Sequence, residues 1–237
     1  MSLLTIVQNA SDRCGVAKPS SVISNTDGTA VQMLNLVNQE GLALMRRYDW
    51  QVLRTEGSFT TLAAETQATI SSSWAALDRF VQDTMFDRTS KRKIYGPLGP
   101  VEWQEYKSGS FTGIASYFTV RGGLILFTPN PTAGNSVYFE YISKNWCETS
   151  GGTDKSSFTI DTDVGILSEE LLTLGVVWRF LKAKGMPSWA DAYADYELQA
   201  TTLAGQDGVK PILSMNPRRG LSPALRDGFV SEGDWPL

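Results

Sequence analysis

Residues 168–185 read SEELLTLGVVWRFLKAKG and carry the start and stop signals of an α-helix. Ser168 can accept hydrogen bonds from the first free backbone N–H groups, and the two glutamates after it suit the positive end of the helix dipole. Gly185 can take the left-handed conformation that ends a helix, and Pro187 prevents its continuation. Apolar side chains form two stripes along this segment, so we expect the helix to be central to the fold. The stripes consist of Leu167, Leu171, Leu174, Trp178 and Leu181, and of Leu172, Val176 and Phe180.

Three further segments have helical patterns. Residues from Ser188 to about Gly205 predict a partner helix, and Leu3 to Cys14, followed by Gly15, predicts a short one. Asp27 can cap a longer helix that reaches about Tyr48. The apolar stripe predicted for that helix is Val31, Leu34, Val37, Leu44, Met45 and Tyr48.

Between the helical ends the pattern changes to that of strands. The segments 116–120 and 124–128 flank Arg121-Gly122-Gly123, which predicts a two-residue hairpin turn because glycine readily adopts positive φ. Segment 136–144 predicts a third antiparallel strand. Shorter strands are expected over 51–61 and 67–70, residues 77–89 could be helical or extended, and 101–107 predicts a helical turn behind Pro100.

The pattern as a whole predicts an α+β fold. A helical bundle is formed by the N- and C-terminal segments (3–49 and 168–205), and a β-rich insert at 50–146 forms a central antiparallel sheet. Residues 1–205 would be one body. Residues 206–237 have neither helical nor alternating periodicity and contain four prolines, so we expect them to form an extended C-terminal docking arm.

The composition is that of a folded protein with little affinity for nucleic acid. The 237 residues are 42% hydrophobic and carry a formal net charge of −4, whereas a dedicated DNA or RNA binder would normally carry a basic face. The two cysteines are too few for a disulfide framework or a CxxC metal site. The chain shows no signal-peptide pattern and no run apolar enough to span a membrane, which predicts assembly in a reducing cytoplasm without a membrane partner.

The absence of histidine excludes most catalytic sites. Ser–His and Cys–His nucleophiles and nearly all catalytic zinc sites require that residue. Reactions catalysed by carboxylates alone, such as glycoside hydrolysis, are not excluded. The pairs that could serve it are Asp78 with Asp83 and Glu102 with Glu105. We expect no catalytic residue, no metal site and no cofactor.

Several other motifs have a structural explanation. Asp161, Asp163 and the glutamates at 169 and 170 lack the spacing of a calcium loop, so we expect them to serve the electrostatics of a helix start. The Gly122-Gly123 pair precedes a strand, whereas phosphate-binding loops open helices. Trp146 and Trp178 are expected in the core.

A basic cluster is formed by Arg88, Lys91, Arg92 and Lys93. Such clusters are usually solvated loops or interface rims, and contact with DNA is the alternative.

Three segments together resemble the adaptor proteins of short-tailed bacteriophages, the head-to-tail connectors beneath the portal. The resemblance covers about residues 30 to 205 and lies in turns, strands and a helix core, so it implies architecture and an assembly role. The first segment has Asp87-Arg88-Thr89, Tyr95-Gly96-Pro97-Leu98 and Glu102-Trp103. The second runs from Arg121 to Pro131 and continues with Phe139 to Trp146. The third runs from Glu170-Leu171-Leu172 through Trp178-Arg179 to Gly185, followed by Tyr193 and Tyr196-Glu197.

The resemblance implies a ring, typically of twelve copies, in the neck of the virion. Its partners would be the portal protein, the tail nozzle or tail-tube protein and other copies of the chain, and genomic DNA would pass through the ring. An acidic channel wall would repel DNA phosphates and let the genome slide.

The arm would supply the docking residues, because it is rich in proline and its apolar side chains have no local core. Those expected to contact the portal or a neighbouring copy are Arg218, Arg219, Leu221, Leu225, Arg226, Phe229 and Trp235. The alternative is a dispensable tail. For the whole protein the alternatives are a tail-tube or nozzle subunit, a carbohydrate- or receptor-binding module and a carboxylate-based hydrolase.

Overall fold

A computed structural model describes residues 2–109 and 115–208 of the chain. The described residues up to Asp207 form one compact unit. Its helices are α1 (Leu3–Cys14), α2 (Gly28–Arg47), α3 (Ile70–Ser73), α4 (Pro100–Ser108), α5 (Glu169–Ala183) and α6 (Trp189–Asp207), with a short 3-10 helix at Gln51–Leu53. No helix among the described residues combines the length and hydropathy needed to cross a membrane.

The strands form one large and one small sheet. They are β1 (Arg54–Thr60), β2 (Thr66–Thr69), β3 (Leu77–Phe80), β4 (Phe86–Asp87), β5 (Arg92–Tyr95), β6 (Ser116–Arg121), β7 (Leu124–Thr128), β8 (Ser136–Ser143), β9 (Cys147–Glu148), β10 (Asp154–Lys155) and β11 (Val164–Gly165). The large sheet has the order β1-β8-β4-β5-β6-β7-β2, and β3 also pairs with β8. The small sheet, in the order β10-β9-β11, lies beyond the predicted β-rich insert.

Helix α5 begins and ends as the sequence predicted. The Ser168 hydroxyl accepts a hydrogen bond from the backbone N–H of Leu171, and Gly185 after the last turn has φ +68°. Helices α1, α2 and α6 all pack against α5. The central position expected for this helix is confirmed.

The apolar face predicted for α2 is wrong in its first half. Val31 is 41% exposed, whereas Ala30 and Met33 are buried, and the buried face continues through Glu40. A buried glutamate in the middle of the face explains the error, because a stripe drawn through apolar residues alone does not include a charged position.

The expected hairpin is present, and the ambiguous segment is extended. Gly122 and Gly123 have φ +59° and +75°, and Arg121 pairs with Leu124 across the turn. Residues 77–89 contain β3 and β4 and no helix. The turn chemistry therefore determined the local structure as predicted.

The large sheet is mixed, whereas an antiparallel one was predicted. Strands β5 and β6 run parallel, with Ile94 opposite Ser116 and Tyr95 opposite Tyr117. The connection between them contains α4, and a crossover through a helix returns the chain in the same direction. The α+β class is confirmed.

Two hydrophobic clusters hold the unit together. One is formed mainly by α1, α2, α5 and α6 and includes Trp146, which is completely buried against Gly41. The other fills the large sheet and is rich in phenylalanine. Trp178 is only half-buried, so its predicted place in the core is correct in part.

Candidate functional site

The basic cluster lies on the tight hairpin formed by β4 and β5. The Asp87 carboxylate accepts hydrogen bonds from the backbone N–H groups of Thr89 and Ser90, both at 2.9 Å, and from the Asn135 amide at 2.7 Å. Burial alone would raise the pKa of Asp87, but these hydrogen bonds outweigh it and lower the pKa. Lys91 has φ +56°, which completes the turn. These hydrogen bonds order the backbone of the turn that carries the cluster.

Two of the four cations already have acidic partners. Arg88 donates to Glu56 at 2.6 Å, and its guanidinium lies 3.6 Å from the ring centroid of Tyr138. Lys93 pairs with Asp83 at 2.7 Å.

The other two cations, Lys91 and Arg92, are exposed and make no ion pair with a described residue. Since the acidic side chains Glu56, Asp83 and Asp87 nearly balance the cluster, its surroundings resemble an interface rim more than a nucleic-acid surface.

A groove of about 390 Å³ runs beside the hairpin. Its lining includes Phe86, which is 39% exposed. The remaining lining residues are Glu56, Thr84, Asp87, Arg88, Lys91, Tyr138, Phe139 and Glu140. An exposed aromatic side chain among charged residues suits a polypeptide side chain flanked by a charge.

The aromatic side chains at the turn between α5 and α6 pack against one another and against cations of α5. The ring centroids of Trp178 and Tyr193 are 5.0 Å apart, and the Arg179 guanidinium lies 4.6 Å from the Trp178 centroid. The Lys182 ammonium lies 5.7 Å from Trp178 and 5.1 Å from Trp189. Trp178 is therefore not an open platform of the kind a sugar-binding module uses.

The acidic motif before α5 organises loops. Asp161 accepts hydrogen bonds from the backbone N–H groups of Val22 and Ile23. Buried Asp163 accepts from those of Thr159 and Ile160 and pairs with Lys155. Only the two glutamates lie in the first helical turn as expected. In the described part of the chain, no group of three His, Cys, Asp or Glu side chains could hold a metal ion.

Three of the four carboxylates that could serve hydrolysis have structural roles. Asp78 pairs with Arg79 at 2.9 Å, and Asp83 pairs with Lys93 as described above. Glu102 accepts a hydrogen bond from the backbone N–H of Gly99 at 2.9 Å and so caps α4. Glu105 is exposed and makes no ion pair with a described residue.

A buried polar cluster between α2, α5 and α6 was not predicted from the sequence. Completely buried Glu40 accepts hydrogen bonds from the Tyr196 hydroxyl and from Arg179 Nε, the latter at 2.6 Å. Gly175 makes room for it, since a Cβ there would lie 2.3 Å from Glu40 Cγ. The sequence feature that indicated this cluster is Gly175, a glycine in the middle of the well-predicted helix α5.

The predicted arm residues lie outside the described part of the chain. These are Arg218, Arg219, Leu221, Leu225, Arg226, Phe229 and Trp235. Helix α6 continues to Asp207, two residues past the predicted end, and the Asp207 carboxylate accepts a hydrogen bond from the Gln51 backbone N–H at 2.7 Å.

Comparison with known proteins adds one finding. A family model described as SU10 adaptor protein matches residues 1–219. No curated protein matches the chain. The matched range contains every described residue.

Proposed function

The chain belongs to the SU10 adaptor protein family, and on this basis we propose that it is the head-to-tail adaptor of a bacteriophage virion. It assembles in the host cytoplasm as a ring, of twelve copies, between the portal and the tail, extends the DNA channel and anchors the tail. Its partners are the portal protein, the tail nozzle or tail-tube protein and its own neighbours, while genomic DNA passes through transiently. It catalyses no reaction.

The observation that carries this proposal is the family match over residues 1–219. The geometry supports a structural role, because neither pair of carboxylates that could serve hydrolysis is free as a pair: Asp78 and Asp83 pair with cations, and Glu102 caps α4. The near balance of charge around the β4–β5 hairpin supports a protein interface at this position.

We propose that the arm provides the main contact with the portal. Arg218, Arg219 and Arg226 pair with carboxylates of the portal or of an adjacent copy, while Leu221, Leu225, Phe229 and Trp235 fill apolar pockets. Prolines at 211, 217 and 223 reduce the conformational entropy that the segment loses on docking.

A truncation tests the role of the arm. A chain ending at Asp207 keeps all of α6 and the contact with Gln51, so its melting temperature should equal that of the full chain. Mixed with purified portal and viewed by negative-stain microscopy, the full chain should form rings on the portal and the truncated chain should not.

The other outcomes identify the alternatives. If the truncated chain forms rings as well as the full chain, the arm is dispensable. If the full chain binds only tail components, it is a nozzle or tail-tube subunit, and binding of a sugar by a monomer would indicate a receptor-binding module.

A further inference from the structure

Helix α4 presents an exposed face that is apolar and acidic. Val101 is 72% exposed, and Glu105 lies one turn further along the same face, also exposed. On the opposite side Trp103 is buried, and Tyr106 stacks on Tyr117 with ring centroids 4.2 Å apart. The exposed pair is therefore carried by a helix that is fixed to the sheet.

The groove beside the β4–β5 hairpin has the complementary chemistry. Phe86 provides an exposed apolar side chain, and Lys91 is a lining cation that has no acidic partner among the described residues. The carboxylates in the lining are already engaged, Glu56 by Arg88, Glu140 by Arg54 and Asp87 by backbone N–H groups. Arg88 is held by Glu56 and is thus less available to a partner. The groove offers one apolar site and one free positive charge, and α4 offers one apolar side chain and one free negative charge.

We propose that the α4 face of one copy docks into this groove of the next copy. Val101 packs on Phe86, and Glu105 pairs with Lys91. The two surfaces are different, so the contact is head-to-tail and repeats in one direction, which is the type of contact that closes a ring. The inference rests on the proposed function, since it names the contact between neighbours in the proposed ring.

A disulfide trap tests the proximity of the two surfaces. Rings are assembled on purified portal from full-length chain carrying Lys91→Cys and Glu105→Cys. Burial raises the pKa of Cys14 to about 11 and that of Cys147 to about 12, so the native thiols react slowly at neutral pH. Mild oxidation should give dimers and longer ladders on a non-reducing gel, and a reductant should remove them.

The matched control pairs Glu105→Cys with Lys144→Cys, another exposed lysine without an acidic partner among the described residues. This pair should stay monomeric on the gel. Monomer alone from the Lys91 pair, or equal ladders from both pairs, would overturn the inference.

Charge reversal tests the ion pair itself. Lys91→Glu and Glu105→Lys should each lower ring formation by about fivefold, because a small loss per contact is repeated around the ring. The double variant should restore it, since the pair is formed again with opposite signs. Single variants without effect, or a double variant as poor as the singles, would contradict the pairing.

The wild-type chain distinguishes failure of the proposed function from failure of this inference. If it forms no rings on the portal, the proposed function fails, and this inference fails with it. If it forms rings while the trap and the charge reversal both give negative results, only the inference is wrong.

Discussion

At the scale of single residues, Glu40 is the most consequential position. A buried carboxylate is costly unless it is paired and hydrogen-bonded, and Arg179 and Tyr196 provide both. Because the three side chains come from α2, α5 and α6, the cluster fixes how these helices meet. Gly175 is the position where α5 allows the carboxylate to approach.

Gly175→Ala should destabilise the protein by about 1–3 kcal/mol, the usual cost of overpacking, because the new methyl group would overlap Glu40. The matched control is Gly205→Ala in α6, where a Cβ meets nothing within 4 Å. It should be neutral or stabilising by up to about 1 kcal/mol. Urea unfolding followed by circular dichroism measures both. Equal effects of the two substitutions would mean that the Glu40 site can relax freely.

Asp163→Asn should cost about 1–3 kcal/mol at pH 7, because the amide cannot accept all the hydrogen bonds that the carboxylate accepts. Burial would raise the pKa of Asp163, but the backbone N–H of Thr159, the Lys155 ammonium and the N–H of Ile160 lower it overall. The stabilisation is therefore present above the unfolded pKa of about 4 and lost as pH falls through the folded value.

Unfolding at pH 7, 5 and 3 checks this expectation. The difference in stability between Asp163→Asn and the parent should shrink toward pH 3. The exposed Asp12→Asn serves as control and should stay within about 0.5 kcal/mol of the parent throughout. A difference for Asp163 that does not depend on pH would contradict the role of its charge.

At the scale of elements, α5 is the centre of the helical half, and two tryptophans of this hydrophobic cluster, Trp146 and Trp178, differ in burial. Trp146 is completely buried and packs edge-on against Phe158 with centroids 4.8 Å apart. Trp146→Ala should cost about 3–5 kcal/mol. Trp178→Ala should cost less, about 2 kcal/mol, because Trp178 is half-buried.

Denaturant unfolding of the two variants tests the order of these costs. If the Trp146 variant does not fold, Trp146→Phe should still be less stable than the parent. A larger loss for Trp178→Ala than for Trp146→Ala would show that the turn between α5 and α6 contributes more than its exposure indicates.

Among the strands, the hairpin could be predicted from the local sequence, whereas the pairing of strands distant in sequence could not. The Gly122-Gly123 hairpin was predictable because its turn requires positive φ at adjacent residues. The parallel pairing of β5 with β6 was not, because it depends on where the chain returns after α4. A short strand carries no local sign of its partner's direction.

At the scale of the whole molecule, we expect the isolated full-length chain to be monomeric. A ring that closed before the portal was in place would miss the filled head, and the proposed contact between α4 and the groove is small. Size-exclusion chromatography with light scattering should give the mass of one chain, and addition of portal should produce the ring. Stable dodecamers without portal would contradict this.

The sequence by itself determined the α+β class, the four long helices with the ends of α1 and α5, and the central hairpin. These features depend on caps, glycines and periodicity within a few residues. It also carried the resemblance to phage adaptors, with which the family match agrees.

Only the tertiary structure decided the buried face of α2, the parallel strand pair, the half-burial of Trp178 and the partners of the basic cluster. Each of these depends on side chains distant in sequence, as Glu40 and Arg179 show, because burial and pairing are set where separate segments meet.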